Sequence, residues 1–184
     1  DADLTAYHDQ GVRGIRFNIN CGYSGDWTKI ERLAERIAPM GWSACFWMPA
    51  DLLMEMKATI ENLPCHVVLD HRGHIPAGSG KDHPAFPLIC EWLKEGKVYV
   101  KLSGLYIDTK TEQYTDTMEV GRAYAEANIQ QILWGTDWPH PSCYSGLSPM
   151  PDDSYMLDCL MNQVDTEENF RKVLVENPAR LFGF

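Results

Sequence analysis

The most suggestive chemistry in this sequence is an apolar run that ends on a carboxylate. Ile132, Leu133 and Trp134 lead into Gly135, Thr136 and Asp137, and Trp138, Pro139, His140 and Pro141 then stop regular structure. Asp is a poor strand former and costly to bury unpaired, so a carboxylate there either caps the next turn or does chemistry. Three other apolar runs also gather polar residues near their ends: Arg16 and Asn18 in GIRFNI, Asp70 and His71 in HVVLDH, and Lys101 and Ser103 in VYVKLSG. A base, an imidazole, two cations and a hydroxyl are the makings of acid–base chemistry on an anionic substrate.

Each of these residues also has a structural role open to it. Asp70 and His71 are adjacent, so on a strand they face opposite ways and one of them enters a shared site. His71 is the expected one, though a strand-end histidine is as often a satisfied structural residue. Arg16 lies between Ile15 and Phe17 and faces away from both. Pointing into a barrel it needs an anion, either a substrate or a neighbouring Asp or Glu, and the sequence leaves both open. Lys101 and Ser103 share one face of their strand. His74 and His140 lie in loops, His66 begins its strand at the opposite edge, and His8 and His83 read as surface residues. Phe46, Trp47, Tyr106, Trp134 and Trp138 read as packing.

The elements that must position these residues alternate strand and helix. Strands are expected over 14–19, 43–48, 66–71, 98–104 and 131–137. The first helix between them has Asp26 as its cap, Trp27, Ile30, Ala34 and Ile37 on one face, and Gly41 at its end. Others are expected over about 51–63, over 84–95 after a glycine-rich loop at 72–83, over 117–127, and over 153–163 and 166–177 in the tail. Asp165 and Glu168 read as a capping pair for the last helix, with Pro178 after its end. DADLTAYHDQGV reads as the later part of a helix ended by Gly11. Strand then helix, five times over, implies parallel strands with right-handed crossovers and a site at their C-terminal edge.

Composition narrows the partners. A chain of 184 residues, 45% hydrophobic, fits one globular domain. With 26 acidic against 16 basic residues the net charge is −10, which argues against nucleic acid or an anionic membrane as partner, while a small anion can still bind through local arginines. A homo-oligomer stays open. The six cysteines are scattered without a C-x-x-C pair, as reduced thiols of a cytoplasmic protein would be. No apolar stretch approaches ~18 residues, so membrane insertion is not expected.

GVRGIRFN, HVVLDHRGHIP, VYVKLSG and ILWGTDWPHP, in this order and interval, resemble the later strands of the amidohydrolase superfamily. The closer likeness is to its lactonase branch, and the tail with its PDD turn and closing NPARLFGF resembles that branch too. The resemblance implies an α/β fold of the (β/α)8 TIM-barrel type, with the five strands here as its fourth to eighth. Residues 1–184 then form the C-terminal part of a single barrel domain. A full barrel takes ~250 residues. The first strand, with the H-x-H pair lining the family's site, is not in this sequence, and the chain alone is expected to be inactive.

The same resemblance implies that Asp137 is the general base for an attacking water and that His71 is catalytic with it. It implies that Arg16 contacts an anionic substrate, with Arg72, His74, Lys101, Ser103 and His140 as further substrate-binding candidates. Metal-rich members carry a histidine ending the fifth strand and a bridging lysine or glutamate on the fourth, where ACFWMP and IRFN have neither, so a binuclear site is not expected. No metal at all is the expectation the lactonase branch favours. The alternative is a single zinc or manganese held by the H-x-H pair with His71 and Asp137. Arg72, Gly73 and His74 stand where a lactonase of the branch has M-G-R, which moves the arginine by two positions. The implied activity is opening of a lactone or related cyclic ester. A metal-dependent decarboxylase and a catalytically inactive binding surface are the alternatives.

Overall fold

The computed structural model describes residues 2–19 and 28–184, and the expected cap Asp26 and helix-face residue Trp27 lie outside them. In chain order the elements are α1 (Ala2–Asp9), β1 (Gly14–Asn18), α2 (Thr28–Ile37), β2 (Ser43–Trp47), α3 (Ala50–Glu55), α4 (Lys57–Asn62), β3 (Val67–Leu69), α5 (Ala85–Glu95), β4 (Val98–Lys101), α6 (Thr115–Asn128), β5 (Ile132–Leu133), α7 (Pro141–Tyr144), α8 (Asp153–Val164), α9 (Glu167–Arg171) and α10 (Asn177–Phe182). The five strands form one sheet in sequence order, every neighbouring pair parallel. That is the arrangement expected of consecutive βα units of a barrel.

Register separates two faces. Arg16 pairs with Cys45, Cys45 with Val68, and Val68 with Tyr99. Val68, Tyr99 and Leu133 form an inner-face cluster closed by Leu181 and Phe182 of α10. The alternate residues Ala44, Phe46, Val67, Leu69, Val98, Val100 and Ile132 pack outward with helix side chains such as Leu53, Ile89, Trp92 and Leu160. Burial on both faces explains why β3 and the first three residues of β4 are valine, leucine and tyrosine. The polar residues sit on the inner face where each strand ends.

The strands are shorter than the sequence suggests, because the polar residues at their C-terminal ends leave the ladder. The expected helix over 51–63 breaks at Met56 into α3 and α4. Gly41 does end its helical segment, at φ 70°. Thr166, not Asp165, caps α9 by accepting from the Asn169 N–H at 3.1 Å, while Asp165 ends α8 in a left-handed turn. Pro178 does not follow the last helix. It sits in the first turn of α10, where its missing N–H leaves no bond unmade. His83 is buried, not a surface residue: its Nε2 lies 3.2 Å from Asp51 Oδ1 and its Nδ1 accepts from the Ala85 N–H, joining α3 to α5. His8 is likewise engaged, accepting from Trp42 Nε1 at 2.9 Å. Among the described residues, no helix is long and apolar enough to cross a membrane.

Candidate active site

At the C-terminal edge of the sheet, a cavity of about 240 Å³ is lined by Arg16, Asp70, His71, Lys101, Ser103, Trp134, Gly135 and Asp137. Four strands contribute to it. A larger groove of about 470 Å³ lies at the opposite end, with Trp42, Cys65, His66 and Lys97 on its walls. Glu95 also lines it, but among the described residues no hydrogen bond or ion pair joins Glu95, His66 and Lys97, and Lys97 is turned to the Glu61 carbonyl. The smaller cavity, with its linked charged groups at the C-terminal edge, is the candidate.

Both Asp70 and His71 enter this cavity, against the expectation that one alone could. Alternation holds only as far as Leu69, where β3 ends. Asp70 is still extended, but His71 takes φ 48° and begins a run of left-handed residues through His74. That turn brings the imidazole back to the side its neighbour already faces. It requires Gly104, whose φ of +63° suits glycine and whose added Cβ would stand 2.6 Å from His71 Nδ1.

Asp70, 2% exposed, is the hub of the electrostatics. Its Oδ2 accepts from Arg16 Nε at 2.8 Å and lies 2.7 Å from Nη2, while its Oδ1 lies 2.8 Å from Lys101 Nζ and 3.3 Å from Cys45 Sγ. Burial alone would raise the Asp70 pKa, but Lys101 and then Arg16 outweigh it and hold the carboxyl down at about 2. Burial would lower both cations, and their neighbours raise them: Asp70 foremost for Arg16, and Cys45 and Asp70 for Lys101. Cys45 is pushed up to about 12, first by burial and then by Asp70, so it stays a thiol. Arg16, Lys101 and Asp70 together carry one net positive charge facing the cavity.

His71 is kept neutral. Burial lowers it to about 4, although Asp137 and Asp70 pull the other way. Its Nδ1 lies 3.0 Å from Ser103 Oγ and its Nε2 3.6 Å from Asp137 Oδ1. An ionised carboxylate only accepts, so the fitting tautomer has the proton on Nε2, with Nδ1 accepting from the serine hydroxyl. Asp137 has left the strand, at φ 68°, four residues beyond the end of β5. Its Oδ2 accepts from Tyr106 OH at 2.8 Å. Tyr106, expected to serve in packing, is therefore a polar partner of the candidate base. The signal for it lay in its place just after the Ser103–Gly104 turn at the same edge.

The other candidates lie around the cavity without lining it. Arg72 is 1% exposed and donates to the Ser103 carbonyl at 2.5 Å, and burial lowers its pKa to about 10. His74 packs edge-on to His71 and Trp47 at centroid distances of 5.2 and 5.5 Å, and burial lowers it to about 3. His140 is buried behind Tyr106, its Nδ1 3.3 Å from the phenol oxygen. For a metal, His71 and Asp137 offer two donors, and among the described residues no cluster of three or more His, Cys, Asp or Glu forms around them. A zinc site needs three or four protein ligands. The described residues therefore do not fit a metal on their own.

The family model described as amidohydrolase matches residues 1–184. The chain is 34% identical over 195 residues to the 2-pyrone-4,6-dicarboxylate hydrolase of Comamonas testosteroni, covering 99% of this chain and 63% of that protein. It is 27% identical over 178 residues to the 4-sulfomuconolactone hydrolase of Hydrogenophaga intermedia, covering 95% and 58%. The fold is similar to that of an Agrobacterium tumefaciens protein solved in its apo form, with a TM-score of 0.88 at 23% identity over 100% of this chain and 66% of that one. The chain thus spans about three fifths of the length of the curated relatives it matches.

Proposed function

Since this chain belongs to the amidohydrolase family, its sequence matched along residues 1–184, we propose that its cavity serves the hydrolysis of a lactone bearing an anionic group, with Asp137 as general base. One observation carries the reading. The Asp137 carboxylate opens on the same cavity as Arg16 and Lys101, with Oδ2 held by Tyr106 and Oδ1 facing His71. Similarity to proteins named as hydrolases of a pyrone dicarboxylate and of a sulfomuconolactone supports both the reaction and the substrate charge.

In this account the substrate's anionic group sits against the net positive Arg16–Asp70–Lys101 cluster. Asp137 takes a proton from water as the water oxygen bonds to the lactone carbonyl carbon. Negative charge growing on the carbonyl oxygen is met by the neutral His71 Nε2–H. The tetrahedral intermediate then collapses, the ring C–O bond breaks, and the proton held on Asp137 passes to the departing ring oxygen. The product is an open-chain hydroxy acid, or its keto form where the ring oxygen leaves as an enol.

The test is turnover of a panel of carboxylated, sulfonated and neutral lactones in 18O-water by the protein that carries this chain. The expected result is one labelled oxygen in the new carboxyl group, with anionic lactones favoured over neutral ones in kcat/KM. Ring opening without label, or no turnover of any lactone, overturns the proposal.

A further inference from the structure

Behind Asp137 runs a line of side chains that substrate binding does not explain. Tyr106 OH donates to Asp137 Oδ2 at 2.8 Å, His140 Nδ1 lies 3.3 Å from the same phenol oxygen, and His140 Nε2 lies 3.2 Å from Asp153 Oδ1. The tyrosine and histidine rings meet edge to face, 5.5 Å apart at 82°. Both are buried, at 3% and 4% exposure, while the Asp153 side chain is 43% exposed. Three segments supply the line: the turn after β4, the loop after β5, and the first residue of α8.

From this we infer that Tyr106, His140 and Asp153 form a positioning chain that fixes the Asp137 carboxylate and anchors it to the first turn of α8. The inference rests on the reading of Asp137 as general base. Proton counting supports the order of the chain. A carboxylate can only accept, so the single hydroxyl proton of Tyr106 is committed to Asp137. The phenol oxygen then accepts from His140 Nδ1–H. Asp153 is likewise only an acceptor, so the chain requires a second proton on Nε2, and the His140–Asp153 link is an ion pair at 3.2 Å.

The need for such a chain follows from the backbone. Asp137 is beyond the ladder of β5 and sits at a positive φ, so no strand hydrogen bond orients it. His140 is also left-handed, at φ 60°, and its N–H donates to the Asp137 carbonyl at 2.8 Å. Strained residues at both ends of a four-residue turn persist when surrounding contacts determine them, and the side-chain line supplies those contacts. With Oδ2 occupied by the phenol, Oδ1 is the oxygen left for a water. An error of about 1 Å in placing a base can cost a hundredfold in rate.

The experiment compares the parent, Asp137→Asn, Tyr106→Phe, Asp153→Ala and the double variant Tyr106→Phe/Asp153→Ala in the protein that carries this chain. Asp153 is partly exposed and is not among the residues that line the cavity. Its replacement is expected to lower kcat roughly tenfold to a hundredfold with KM unchanged, and Asp153→Glu to recover part of the loss. The double variant should be no slower than Tyr106→Phe alone. A readout free of turnover is the Asp137 carboxyl 13C resonance, which should move in Asp153→Ala and lose that response when Tyr106 is Phe. If the parent is active and Asp137→Asn is not, yet Asp153→Ala keeps parental kcat, the chain is overturned while the base assignment stands. If no lactone is turned over but the Asp137 resonance responds to Asp153→Ala as described, the chain stands and the reaction is wrong. A resonance unmoved by Asp153→Ala overturns the chain in either case.

Discussion

Arg16 and Asp70, fifty-four positions apart, meet through two guanidinium nitrogens at 2.8 and 2.7 Å from one carboxylate oxygen, and Lys101 takes the other oxygen. Two cations therefore depend on one nearly inaccessible anion. Asp70→Asn is expected to lower stability by roughly 2–4 kcal/mol, less than for a wholly buried pair because water reaches half of Arg16. Urea denaturation at neutral pH measures it, and a loss below about 0.5 kcal/mol would show the cluster to be incidental. The folded pKa of about 2 lies below the ordinary 3.8. The Asp70 contribution is thus fully present above pH 3.8 and lost as pH falls through about 2.

Histidine sets a second, earlier acid limb. His71 and His74 are lowered from 6.5 to about 4 and about 3 by burial. A depressed folded pKa means that the unfolded chain binds the proton first, so stability declines as pH drops below 6.5 and continues to fall toward 4. Denaturation midpoints taken at half-unit intervals from pH 7.5 to 4 should show this decline, and His74→Gln should flatten it. A midpoint constant down to pH 4.5 would mean that neither ring is held neutral.

Gly104 permits the approach of the His71 ring. Gly104→Ala places a Cβ 2.6 Å from both His71 Nδ1 and Ile107 Cδ1, at a φ that L side chains avoid. The variant should lose about 1–3 kcal/mol of stability and lower kcat by displacing the imidazole. Thermal unfolding and steady-state kinetics on the same preparation check both. A variant of parental stability and turnover would show that the turn has room to relax.

Arg16 carries the prediction about substrate charge. Arg16→Met should raise KM for an anionic lactone by about tenfold or more, with a smaller effect on kcat and little effect on a neutral lactone. Arg16→Lys should recover only part, because a lysine cannot present two nitrogens to Asp70. Equal KM changes for charged and neutral substrates would remove Arg16 from recognition of the anion.

The five-strand order was legible because alternating apolar strands and helical faces demand it, and Arg16, His71, Lys101, Ser103 and Asp137 do line one cavity. What was hidden lay where regular periodicity stops. Period-2 reasoning set Asp70 and His71 on opposite sides, and a positive φ at His71 reverses that. The ion pair of Arg16 with Asp70 was one of two open readings, and deciding it took knowledge of which carboxylate the turn delivers. Tyr106 read as packing because its place after the Ser103–Gly104 turn marks the edge it occupies but not the direction of its hydroxyl. Thr166 took the capping role expected of Asp165 by a shift of one residue, finer than hydrophobic patterning resolves.

The claim at the centre is that Asp137 takes the proton from water. The direct measurement is kcat for the preferred anionic lactone in Asp137→Asn, beside circular dichroism to establish that the variant is folded. The account predicts native dichroism and a kcat reduced by roughly two to four orders of magnitude with KM little changed. A folded Asp137→Asn enzyme turning over within a few fold of the parent would contradict it.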